Sequence, residues 1–150
     1  MPRQGDDDWG TPKSAWEHIA KYIPKKVIWE PFYLDGQSGR YLEELGFDVI
    51  HEDFDFFTHD FGDIVVSNPP FSRKQAIVKR LVALGKPFIL LMPTAVLTTE
   101  YIRIVPDLQI IVPAKRIHFL KDGEQTNRCA FGCLYFCSGL GLERDITFLP

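Results

Sequence analysis

One stretch, Asp63-Ile64-Val65-Val66-Ser67-Asn68-Pro69-Pro70-Phe71, constrains this chain more than any other. Ile64 to Ser67 form an almost unbroken apolar run, which predicts a strand buried on both faces. The run stops at Asn-Pro-Pro. Proline has no N–H to give to a ladder, and it drives the residue before it out of the α region. The two prolines therefore end the strand and set the loop. Asn68 is expected at the strand's carboxyl end, where open α/β sheets bind ligands. Phe71 follows, with a flat ring to present.

Such a corner suits one kind of chemistry. An aromatic or amide-like NH2 group is a poor nucleophile because its lone pair is delocalised. The side-chain carbonyl of Asn68 and the backbone carbonyl of Pro69 can each accept one of its hydrogens. The lone pair then localises, while Phe71 stacks on the planar base. Asn-Pro-Pro-Phe after an apolar strand resembles the catalytic motif of S-adenosylmethionine-dependent amino methyltransferases, above all the N6-adenine enzymes. The resemblance implies Asn68, Pro69, Pro70 and Phe71 as catalytic residues and S-adenosyl-L-methionine as cofactor. It also implies nucleic acid, DNA or RNA, as the partner.

At 150 residues the chain has a single-domain length with room for a core. No apolar run is long enough to span a bilayer. The acidic N-terminus lacks the layout of a signal peptide, so an intracellular protein is expected. A net charge of −3 argues against holding nucleic acid by charge alone. Basic residues nevertheless gather after the motif (Arg73, Lys74, Lys79, Arg80) and later in the chain (Lys115, Arg116, Lys121, Arg128). They form either a rim to the site or ordinary solvated faces. Cys129, Cys133 and Cys137, spaced by four, fall on one face of a strand and are expected to be reduced core thiols. No metal site is expected.

Taken in order, residues 1–8 are expected to be a flexible polar start. Trp9-Gly10-Thr11-Pro12 leads into a helix ended by Pro24, with Thr11 as N-cap and Pro12 at the first turn. Ser14 and Glu17 offer an alternative start. Ala15, Trp16, Ile19, Ala20 and Ile23 make its apolar face. Lys26 to Glu30 reads as the first strand, followed by a turn-rich loop from Pro31 to Gly39 and a helix from Arg40 to Leu45. Strand, glycine loop and helix let a ligand approach backbone N–H groups. A second strand, Phe47 to Asp53, ends in acids, where a carboxylate can accept from ribose hydroxyls.

These segments extend the resemblance. Trp9 and Thr11 are similar to the cofactor segment of small phage-type adenine methyltransferases. Glu30-Pro31, Phe32, Asp35, Gly36 and Gly39 resemble the class I cofactor loop, although Phe32-Tyr33-Leu34 is bulkier than usual there. Glu52 or Asp53 would take the ribose. Asp55-Phe56 resembles the motif that holds the adenine of the cofactor.

About ten residues separate the second strand from the one at Asp63, too few for a further crossover of a dozen or more. The outer third strand is therefore expected to be missing. After Phe71 a helix capped by Ser72 runs to Leu84 and is closed by Gly85. Pro87 to Met92 is a strand, Pro93-Thr94 opens a helix to about Ile104, and Leu108 to Val112 is a strand. Arg116 to Leu120, a turn at Asp122-Gly123 and Cys129 to Cys137 read as a final hairpin.

The expected fold is α/β, a Rossmann-like class I methyltransferase sheet, mostly parallel, with an antiparallel C-terminal edge strand. The resemblance makes Phe71, Lys74, Arg116 and Phe119 the residues that meet the substrate, with His118 near them. No separate target-recognition domain is expected, so specificity would fall to short loops, a partner subunit or a homodimer. Two other classes fit the same motif. One methylates guanine N2 in RNA or a protein glutamine amide. The other is an inactive methyltransferase-like binding subunit.

Overall fold

A computed structural model describes residues 10–32, 36–121, 124–125 and 132–150. The expected start at 1–8, the Asp122-Gly123 turn, Arg128 and Cys129 lie outside them. Helices span Lys13–Glu17 (α1), Gln37–Glu44 (α2) and Lys74–Leu84 (α3). Strands span Ile28–Trp29 (β1), Val49–Ile50 (β2), Ile64–Ser67 (β3), Phe88–Pro93 (β4), Gln109–Val112 (β5), Leu120–Lys121 (β6), Glu124–Gln125 (β7), Cys133–Ser138 (β8) and Ile146–Phe148 (β9).

Among the described residues the main sheet has seven strands, ordered β2-β1-β3-β4-β8-β5-β9. Neighbours run parallel except at β8, which is antiparallel to both β4 and β5. The protein is α/β with a mostly parallel sheet. β6 and β7 form a small ladder of their own.

The central strands are apolar on both faces because both faces are covered. Ile64, Val66, Ile89, Leu91, Tyr135 and Cys137 point to one side, where they meet Ala15 and Trp16 of α1 and Leu42 of α2. Val65, Phe88, Leu90, Met92, Leu134 and Phe136 point to the other, against Ile77, Val78 and Leu81 of α3. Two polar bonds tie the first layer down. The buried Tyr135 hydroxyl donates to the Ala15 carbonyl at 2.6 Å, and Trp16 Nε1 donates to Ser38 Oγ at 3.3 Å.

Residues 51 to 63 contain no strand, so β2 is the sheet edge on that side, as the short spacing requires. The opposite edge corrects the sequence expectation. The antiparallel strand is not at the edge: β8 is inserted between β4 and β5, and the edge is the parallel strand β9. The reason is burial. All six residues of β8 are buried and pair along the full length of β4, a place only an interior strand can take. β9 is short, with Ile146 and Phe148 exposed.

Local chemistry explains the other departures. Arg116 to Phe119 lies outside any strand; only Leu120–Lys121 pairs. The segment after β4 is two 3-10 turns, Thr94–Thr98 and Tyr101–Ile104, rather than one helix. Thr98 and Thr99 each return their hydroxyl to the carbonyl three residues back, at 3.0 and 2.7 Å, which competes with helical propagation. α1 is shorter than its apolar pattern suggests. Pro12 takes the cap position, with no side-chain cap bond, and a 3-10 turn at Ala20–Tyr22 carries the rest of the apolar face. Ser72 does not cap α3 either: a 3-10 turn covers Phe71–Arg73, and Arg73 precedes the helix.

Candidate functional site

Glu30-Pro31 and Asn68-Pro69-Pro70 follow the carboxyl ends of β1 and β3, which lie side by side and parallel. Glu30 follows β1 and is 3% exposed. A buried carboxylate needs donors. Glu30 Oε1 accepts the Phe32 N–H at 2.9 Å and the Ser67 hydroxyl at 2.7 Å. Its own N–H donates to the Ile50 carbonyl at 2.9 Å, so the residue joins the ends of β2, β1 and β3. Ser67, the last residue of β3, was not singled out from sequence. Its signal was a hydroxyl ending an otherwise aliphatic strand.

Asn68, Pro69 and Pro70 are buried directly beyond Ser67. Pro70 is extended, with φ −59° and ψ 124°, and its carbonyl accepts from Arg73 N–H at 3.1 Å. This turns the chain sharply into α3. Phe71 is half-buried. Its ring meets Phe119 edge-on at 6.4 Å, and the Lys74 ammonium lies 5.5 Å from its centroid. Phe71, Lys74 and Phe119 are thus brought together, but Phe119 is fully buried in the core layer of α1. Arg116, Lys115 and His118 are exposed on the segment between β5 and β6.

On the β1 side, Pro31 and Phe32 are buried beside Glu30. Tyr33, Leu34 and Asp35 lie outside the described residues, as does Trp9. Gly36 precedes α2 with φ +77°, a left-handed conformation that a side chain would strain. Thr11 is 4% exposed, and its hydroxyl has no hydrogen-bond partner among the described residues.

Beyond β2, Glu52 and Asp53 are exposed. They border an open depression of about 590 Å³ that Glu43, Val49, Ile50 and His51 complete. Asp55 and Phe56 occupy the loop that replaces the missing strand. Asp55 Oδ1 accepts from Phe57 N–H at 2.9 Å, a turn-forming bond. Phe56 is fully buried, 5.5 Å from Trp29 and 5.1 Å from Phe32 between ring centroids. In this conformation it presents no exposed face to a base.

Two cations of α3 and its C-terminus hold that aromatic loop, and neither role was legible beforehand. Arg80 donates to the carbonyls of Phe56 and His59, both at 2.8 Å. Lys86 donates to the carbonyls of Phe61 and Gly62 at 3.1 and 2.7 Å and pairs with Asp60. Of the basic residues expected near the motif, Arg80, Lys74 and Arg73 are therefore committed to protein contacts, the Arg73 guanidinium lying 4.8 Å from the Phe57 ring centroid, while Lys79 is exposed.

Cys133 and Cys137 are buried on one face of β8. Burial pushes the Cys137 thiol up to about 12, so it stays protonated and unreactive at neutral pH. Among the described residues no group of three His, Cys, Asp or Glu could hold a metal ion. Nor is any described helix long and apolar enough to cross a membrane. No model of a known protein family matches the chain, and no curated protein matches it.

Proposed function

We propose that this protein is an S-adenosylmethionine-dependent N-methyltransferase acting on the exocyclic N6 amine of adenine in DNA or RNA. The observation that carries the proposal is the adjacency of the Asn68-Pro69-Pro70-Phe71 corner and the Glu30 loop, joined by the Ser67–Glu30 hydrogen bond. The strand order supports it too: in class I methyltransferase sheets the cofactor and catalytic loops also leave neighbouring central strands.

The donor set fits such a cofactor on its ribose side. Glu52 and Asp53 border an open depression and can accept from two hydroxyls. Phe56 fits an adenine-stacking role only when the aromatic loop opens. The cofactor supplies an activated methyl group on a sulfonium sulfur.

The protein's part is positioning. Asn68 Oδ1 and the Pro69 carbonyl accept the two hydrogens of the target amine, so its lone pair no longer delocalises into the ring. Held by this corner, the amine would direct that lone pair toward the methyl group the cofactor would supply. The amine then sheds one proton to water. No strong base is required, and alignment supplies most of the acceleration. Phe71 holds the base flat, and the exposed Lys115 and Arg116 are available to phosphates. Target selection falls to these short loops, a partner subunit or a second copy.

Titration with S-adenosylmethionine in a calorimeter, followed by transfer assays on DNA, RNA and protein, tests the proposal. Binding with methyl incorporation into adenine is the expected result. Incorporation only into protein or guanine would transfer the site to the glutamine-amide or guanine-N2 chemistry. A second reading, a methyltransferase-like binding subunit without activity, is favoured by the closed Phe56 ring. A folded protein that binds no cofactor would establish it.

A further inference from the structure

We propose that Ser67 is a positioning residue for methyl transfer, aligning the Asn68 corner with the Glu30 loop through its hydroxyl. The inference rests on the methyl-transfer reading and assigns a role to a residue outside the recognised motif. Ser67 is fully buried, with a relative exposure of 0%. A hydroxyl at the end of Ile64-Val65-Val66 is costly to bury unless it is bonded. Its bond, 2.7 Å to Glu30 Oε1, is to a carboxylate, which makes it stronger than a neutral one.

The same oxygen also takes the Phe32 N–H at 2.9 Å. One atom therefore registers the start of the β1 loop against the end of β3. Asn68 is the next residue along the chain, so a shift of Ser67 passes directly to the amide that must meet the target amine. Backbone pairing holds Ser67 on the β4 side, where it faces Leu90, but not on the β1 side. β1 pairs with β3 only through Ile28↔Ile64 and Trp29↔Val65, which leaves Ser67 two residues beyond the ladder on that side. The side-chain bond replaces the missing backbone pairing.

The test uses the full chain, S-adenosylmethionine and an adenine-containing oligonucleotide, with Ser67→Ala and Ser67→Thr. Ser67→Ala is expected to lower kcat roughly 10- to 100-fold, with cofactor Kd and oligonucleotide KM within about twofold. Ser67→Thr, which keeps the hydroxyl, is expected to restore most of kcat. A purely structural bond would lower Tm but leave the kcat of the folded fraction unchanged, and that result overturns the proposal. Should Ser67→Ala not fold, Ser67→Cys carries the test. An intermediate kcat supports the proposal, and wild-type kcat overturns it. A wild-type chain that binds no S-adenosylmethionine overturns the methyl-transfer reading itself, whereas an active wild type with an unaffected Ser67→Ala overturns only the role of Ser67.

Discussion

Gly39, in the first turn of α2, packs directly against His51, the residue after β2. A Cβ built on Gly39 would overlap both Cγ and Cβ of His51. The imidazole is held there by Glu43 of the same helix, 2.8 Å from Nε2. Gly39 was expected to bring a backbone close to a cofactor. In this structure its missing Cβ lets the first turn of α2 close on the residue after β2.

Gly39→Ala should therefore destabilise the protein. Overpacking costs about 1–3 kcal/mol, against roughly 1 kcal/mol gained in helix propensity. Urea unfolding measures the net loss. His51→Ala should rescue it only in part, because the Cβ of residue 51 remains in the overlap. Full additivity of the two substitutions would contradict the packing described.

Asn68→Ala should leave cofactor affinity and folding near wild type and reduce methyl transfer by about 10²–10³-fold, the usual cost of one missing polar group at a reacting centre. Methyl incorporation into an adenine oligonucleotide under saturating cofactor is the measurement. Unchanged turnover would remove Asn68 from the chemistry.

Lys86→Met should loosen the aromatic loop. The Lys86 side chain is 8% exposed and satisfies two carbonyls, so its removal leaves two part-buried acceptors unmet. The expected loss is roughly 2–4 kcal/mol, and the methionine keeps packing over Trp29. Hydrogen exchange should show lost protection at residues 54 to 62 ahead of the central strands. Uniform loss across the sheet would contradict a local role.

Alkaline pH should weaken the fold through β8. Burial raises Cys137 from 9.0 to about 12 and raises Tyr135 above its ordinary 10.0. In the unfolded chain both groups lose their protons at lower pH than in the folded one. Their contribution is therefore complete below about pH 9 and is lost progressively as pH rises from 9 toward 12. Denaturant midpoints across pH 7–11 test this, and Cys137→Ala should flatten the part of the decline that belongs to the thiol. In the folded protein at pH 8, thiol reagents should leave Cys137 unmodified.

The sequence by itself determined the strand at Ile64–Ser67, the corner that ends it, the alternation that makes the domain α/β, and the lack of room for a third outer strand. Each is set by short-range physics: proline geometry, a period of two, chain reach. Thr98 and Thr99 also acted locally, but their effect was hidden because a hydroxyl competes with the helix only once the backbone has begun to turn. Tertiary structure alone decided that β8 lies inside the sheet, since strand order depends on which apolar run buries most area, not on position in the chain. It also decided that Phe56 and Phe119 are core rings, that Arg80 and Lys86 clamp a loop, and that Ser67 meets Glu30. Those pairs stand 21 to 37 residues apart, and no local pattern encodes a partner at that distance.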